Sequence, residues 1–116
     1  WLLGEKVAAE LDIPLLPLRK GEKLPYASEE LYRVAFMDYS GHRKSLETAK
    51  NAPLNGKRVL IVDEWVETGA QIKAVMALLE KFDCSVTGIA TIGADINERT
   101  QAWVDQGLFT CICRGF

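Results

Sequence analysis

The longest uninterrupted apolar run in this chain, Val59-Leu-Ile-Val62, lies at its middle and is followed at once by two acids, Asp63 and Glu64. A β-branched run bounded by charge predicts a strand buried on both faces. After Thr68-Gly69 the pattern changes. Apolar residues recur at Ile72, Val75, Met76 and Leu79, the spacing of one helix face, and predict a helix over 69–82. Upstream, Leu3, Val7, Ala8 and Leu11 predict a helix over 2–12. A short strand is expected at 14–18, with Pro14 and Pro17 where the ladder does not need their N–H. Leu31–Met37 and His42–Thr48, joined by a turn at 38–41, predict a two-stranded arm. Residues 51–57, with Pro53, Asn55 and Gly56, turn the chain into the middle strand. Downstream, 85–92 predicts a buried strand closed by Gly93-Ala94-Asp95, 97–106 a helix ended by Gly107, and 108–113 a last strand. This is an α/β pattern. Its alternation implies parallel strands joined by right-handed crossovers.

The chemistry of the middle segment follows from its parts. In open α/β sheets a ligand binds at the carboxyl end of a strand. A helix start there offers unpaired N–H groups and the positive end of the helix dipole, which suit a phosphate. The neighbouring carboxylates repel that phosphate, so their useful partners are sugar hydroxyls or a divalent cation. A phosphate and a diol at that separation describe a ribose 5-phosphate. An acid pair alone often ends a strand in water; acids, Thr-Gly and helix start together favour the sugar phosphate.

The stretch from Val59 to Gln71 resembles the phosphoribosyl-pyrophosphate (PRPP) motif of the type I phosphoribosyltransferases: an apolar strand, two acids, two apolar residues, a variable residue, then Thr-Gly. The resemblance implies that Asp63 and Glu64 hold the ribose diol. It implies that Glu67, Thr68, Gly69, Ala70 and Gln71 form the phosphate loop. Departures are Glu64, where aspartate is commoner, and Ala70-Gln71, where a small residue and threonine are more usual. A second segment, Arg19-Lys20-Gly-Glu-Lys23-Leu-Pro25, resembles the opening of the flexible catalytic loop in the adenine-type branch. There the Arg and Lys meet pyrophosphate, so Arg19, Lys20 and Lys23 become candidate cations for the leaving group, in what reads as a basic surface loop. Leu46-Glu47 matches a Leu-Glu of the same branch, whereas the glutamate that precedes a Tyr-Gly there is replaced by Ser40. That replacement puts adenine specificity in question. Glu67 stands where the hypoxanthine-guanine branch carries an acid proposed to exchange a proton with the purine. Glu67 is therefore a candidate general acid or base, or a carboxylate favouring a helix start. Trp65 is expected to pack behind the loop, and His42, on a turn, to be solvated.

The whole pattern implies a partial, parallel-sheet phosphoribosyltransferase core, Rossmann-like, with a flexible loop and hairpin arm. The implied reaction transfers the phosphoribosyl group of PRPP to a nitrogenous, purine-type base, releasing pyrophosphate through an oxocarbenium-like transition state. Mg2+ would be bound mainly through PRPP. The implied assembly is a homodimer. A PRPP-sensing regulatory domain of the same fold is the alternative. Val-Leu-Ile-Val-Asp-Glu also resembles the first strand of a receiver, but Asp95 is a poor phospho-acceptor and no lysine follows Lys81.

Composition narrows the reading. The chain has 116 residues, 48% hydrophobic and 26% charged, with a formal charge of −2, which suits one domain over 1–116. That balance argues against nucleic-acid binding, and no apolar run approaches the ~18–20 residues of a membrane span. Cys84, Cys111 and Cys113 are an odd number in apolar surroundings, expected to be buried free thiols of a cytoplasmic protein. Helical periodicity begins at once after Trp1. With the family pattern, this leads to the expectation that the domain is N-terminally incomplete and lacks an earlier strand and pyrophosphate loop.

Overall fold

The structure is a computed structural model that describes residues 2–21 and 28–114. Helix α1 spans Leu2–Leu11, and its turn ends at Asp12, whose φ of 54° reverses the chain. The strand expected at 14–18 is not formed. Pro14 and Pro17 remove two ladder donors, and pairing begins only with β1, Arg19–Lys20. Consequently Arg19 and Lys20 belong to a strand, not to a basic loop. Lys23 lies outside the described residues.

A short 3-10 turn, Ser28–Glu30, leads into β2, Leu31–Met37, which pairs with β3, Arg43–Ala49. These two strands and β1 form an antiparallel sheet in the order β1-β3-β2, so the arm is the expected hairpin extended by a third strand. Antiparallel pairing is what the expected hairpin requires. The turn at 38–41 is too short for a crossover, which needs about a dozen residues. Alternation decides what each face meets. Tyr32, Val34 and Phe36 pack on the core, while Arg33 points the other way toward Glu47, its register partner. Glu47 is fully buried, and its Oε2 accepts from Arg33 Nη2 at 2.8 Å and Nε at 3.3 Å.

The second sheet is parallel, in the order β4-β5-β6, and comprises β4 (Arg58–Val66), β5 (Ser85–Ala94) and β6 (Phe109–Arg114). Helix α2, Ala70–Leu79, crosses from β4 to β5, and α3, Glu98–Asp105, from β5 to β6. β4 is longer than its apolar run implies. It continues through the acids to Val66 and is only partly buried, as the edge of the described sheet. α2 joins the two sheets: it packs against β2, β3 and β4. Ile72, Val75, Leu78 and Leu79 are buried on it, with Leu46, Ile61, Ile89 and Phe109 in the same core. α1 lies beside β4 but buries only Ala8; Leu11 is exposed, since the helix rests on the surface. The cysteines are free, yet not all buried. Cys113 is exposed, and Cys84 and Cys111 are half-buried. Among the described residues, no helix is long and apolar enough to cross a membrane.

Candidate active site

The parallel sheet, α2 and the arm enclose a cleft of about 200 Å3. That is smaller than the ~300 Å3 at which small-molecule pockets usually begin. β4 contributes Asp63, Trp65 and Val66 to its lining, and the following loop and helix start contribute Glu67 through Ile72. β1 adds Lys20, and the arm adds Phe36, Asp38 and Tyr39. A wider, open depression bordered by Thr68, Asn97, Glu98 and Arg99 adjoins it but contains neither acid of β4.

Strand alternation explains which acid enters. Asp63 and Trp65 share one face of β4, standing opposite Thr91 and Gly93 of β5. Asp63 lines the cleft, whereas Glu64, the next residue, is exposed and is not part of the lining. Burial pushes the Asp63 carboxyl above its usual range, opposed by the Glu64 backbone N–H that donates to its Oδ1 at 2.9 Å. The neighbouring Glu64 charge pushes it further up, and Lys20 pulls it down. Across the ladder, the Thr91 hydroxyl is buried with no hydrogen-bond partner among the described residues. Trp65 is 45% exposed and does not pack behind the loop. Its ring lies on Gly93, at a place where any Cβ would collide with it.

The loop after β4 is held from outside. Asn97 Nδ2 donates to the Glu67 carbonyl at 2.9 Å, and Arg99 Nη1 donates to the Thr68 carbonyl at 3.1 Å. With these carbonyls tied to α3, the loop is fixed from its acceptor side. Asn97 also caps α3: its side chain accepts from the Arg99 and Thr100 amides in a capping box. Gly69 closes the loop with φ 85°, and a Cβ there would meet Arg99 Cδ at 2.8 Å and the Trp103 ring at 3.1 Å. Only glycine meets both demands. α2 then starts without a side-chain cap, and Thr68 Oγ1 accepts from the Ala70 N–H at 3.1 Å. The remaining first-turn donors face no helical acceptor, which is the property that lets a helix start hold an anion.

The structure thus gathers Lys20, Asp63, Glu67, Thr68, Gly69, Ala70 and Gln71 around one cleft. Arg19 pairs with Glu47 in the β1/β3 register; its side chain is outside the described ones. The sequence reading missed Phe36, Asp38, Tyr39 and Trp65 in the lining, and Asn97 and Arg99 behind the loop. A signal for Asn97 was present, since Asn-Glu-Arg-Thr100 has the spacing of a capping box. No group of three or more His, Cys, Asp or Glu able to hold a metal occurs among the described residues.

Comparison with known proteins identifies the family. The family model described as phosphoribosyl transferase domain matches residues 2–112. An adenine phosphoribosyltransferase of Trichodesmium erythraeum is 34% identical over 92 residues, covering 79% of this chain and 52% of the relative. One from Rippkaea orientalis is 39% identical over 93 residues, covering 79% and 51%. The chain spans about half the length of the curated relatives it matches. Among solved structures, adenine phosphoribosyltransferase from Thermoanaerobacter pseudethanolicus superposes with a TM-score of 0.82 at 29% identity, covering 97% of this chain and 63% of that one. The Giardia lamblia enzyme, at 21% identity, covers 100% and 65% with a TM-score of 0.83 and speaks to the fold alone. An acid-bearing strand that turns through a glycine-closed loop into an uncapped helix, matched over nearly the whole chain, places this protein in the phosphoribosyl transferase domain family.

Proposed function

We propose that this chain forms the PRPP-binding part of a phosphoribosyltransferase that joins the phosphoribosyl group of PRPP to a nitrogen of a purine-type base and releases pyrophosphate. The observation that carries the reading is the single cleft in which Asp63 and the Gly69–Gln71 helix start meet. The relatives named adenine phosphoribosyltransferases support the purine-type base. In this reading the loop and first turn of α2 hold the 5-phosphate through backbone N–H groups. Asp63 accepts from the ribose hydroxyls. Lys20, on the cleft lining, faces the pyrophosphate as negative charge builds on it, which is where a fixed cation lowers the barrier. Glu67 is the carboxylate on the lining suited to exchange a proton with the base.

The donor set fits Mg2+ that arrives with PRPP. Mg2+ is commonly bound by one or two carboxylates together with substrate phosphates, and Asp63 supplies one such carboxylate at the cleft. When bound, the ion would neutralise charge on the pyrophosphate. A cytoplasmic homodimer belongs to the same reading, and light scattering on the eluted protein checks the dimer.

The test separates the two acids. Asp63→Asn should weaken magnesium-dependent PRPP binding by more than tenfold in calorimetry, with Glu64→Gln costing much less. Pyrophosphate release from PRPP with a panel of bases should follow the same order. Undiminished PRPP binding in Asp63→Asn would remove this cleft from the reaction.

A further inference from the structure

Thr91 carries a hydroxyl that the fold itself does not use. It lies on β5, the middle strand of the parallel sheet, and is 3% exposed. Its Oγ1 is buried without a hydrogen-bond partner, the only side-chain oxygen or nitrogen in that condition among the described residues. Valine has nearly the same shape and would leave no polar atom stripped of water, so the hydroxyl weakens the folded chain. Other threonines avoid this. Thr87, on the same strand, donates to the Val59 carbonyl at 3.3 Å, and Thr100 to the Asp95 carbonyl at 2.8 Å.

The register shows what Thr91 could serve. Asp63 of β4 stands opposite it on one side and Cys111 of β6 on the other. Residues in register share a sheet face, with their strands ~4.8 Å apart. The Cys111 thiol is engaged elsewhere, donating to the Cys113 carbonyl at 3.0 Å and the Ile92 carbonyl at 3.4 Å. Sulfur is in any case a weak acceptor. The strong acceptor beside Thr91 is therefore the Asp63 carboxylate, which rotation of its side chain brings within reach of a hydroxyl one strand away. An ionised carboxylate offers about four lone-pair sites. The Glu64 N–H occupies one, on Oδ1, and a ribose diol would occupy two, which leaves one for a further donor.

We propose that Thr91 is a positioning residue for PRPP: its hydroxyl donates to the Asp63 carboxylate when that group turns to accept from the ribose, and holds it there. The proposal rests on the PRPP-binding reading above. A donor without a partner in the free chain then gains a charged acceptor in the complex, the stronger class of hydrogen bond. Hydroxyl and methyl have separate tasks: the first acts on the ligand through Asp63, the second fills the core.

Two variants of the full chain separate these tasks. Thr91→Val keeps the shape and removes the hydroxyl; Thr91→Ser keeps the hydroxyl and removes the methyl. Melting temperature is measured without PRPP, and PRPP affinity by calorimetry with magnesium. Thr91→Val should melt at or above the wild-type temperature yet bind PRPP about tenfold more weakly. Thr91→Ser should melt lower, through the lost buried methyl, and bind PRPP at near wild-type affinity. In an Asp63→Asn background, adding Thr91→Val should change the affinity little, since the group it acts through is gone. Wild-type affinity in Thr91→Val, or equal losses in the Val and Ser variants, overturns the proposal. So does a Thr91→Val effect that persists in full beside Asp63→Asn. A wild-type chain that binds no PRPP overturns the functional reading, and this proposal with it.

Discussion

Asp63 shows how a single position in a strand decides the chemistry of the cleft. The motif presents two adjacent acids as a pair, but adjacent residues on a strand point to opposite faces. Only Asp63 lines the cleft. Its raised carboxyl makes the site pH-sensitive, with burial as the first cause. A folded chain that holds this proton more tightly than the unfolded chain gains stability below the unfolded value. That gain is lost as pH rises through the folded one. Binding of a diol runs the other way, because it uses the ionised carboxylate as acceptor. PRPP affinity should therefore fall as pH is lowered into the range just above that of an ordinary carboxylate. In Asp63→Asn this part of the pH dependence should vanish. Calorimetric titrations across that window check both statements; a profile unchanged by the substitution would assign the titration to another group.

At the scale of elements, the parts visible in sequence were those whose pattern is local. The run Val59–Val62, the helical spacing from Ile72 to Leu79 and the arm strands each carry their own periodicity, and all three are present. The strand expected at 14–18 was misplaced: Pro14 and Pro17 remove two ladder donors from that run, and pairing begins only at Arg19 and Lys20. The contribution of α3 to the site could not be read, since it acts on main-chain carbonyls 30 residues away. Its capping box was legible, but nothing in a cap says that the same side chain will also donate to a loop. This double use can be separated. Asn97→Ser keeps an oxygen able to cap α3, yet is too short to reach the Glu67 carbonyl. One neutral hydrogen bond is worth about 0.5–1.5 kcal/mol. PRPP affinity should accordingly fall by roughly threefold to tenfold through loosening of the loop, while the helix keeps its cap. Loss of affinity only in step with loss of thermal stability would make Asn97 a cap and nothing more.

The whole molecule depends on α2 in two senses. Its first turn forms one end of the cleft, and its apolar side is shared between the antiparallel arm and the parallel sheet. Phe36, Asp38 and Tyr39 come from the arm, while Asp63 and Trp65 come from the sheet, so the cleft exists only while both pack on this helix. Neither the meeting of the two sheets nor the cleft between them was visible in the sequence, because it arises from contacts between segments whose separate patterns are silent about each other. Leu78, near the C-terminal end of α2, is fully buried in the shared core. Leu78→Ala should cost about 2–5 kcal/mol through lost transfer energy and the cavity left behind. If α2 couples the sheets, hydrogen-exchange protection should fall together in β2–β3 and in β4–β6, and the melt should remain a single transition. Protection lost in the arm alone would mean that the parallel sheet is stable without it. The arm would then be a cover resting on a finished site, and the ligand-binding contribution of Asp63 should survive in that variant.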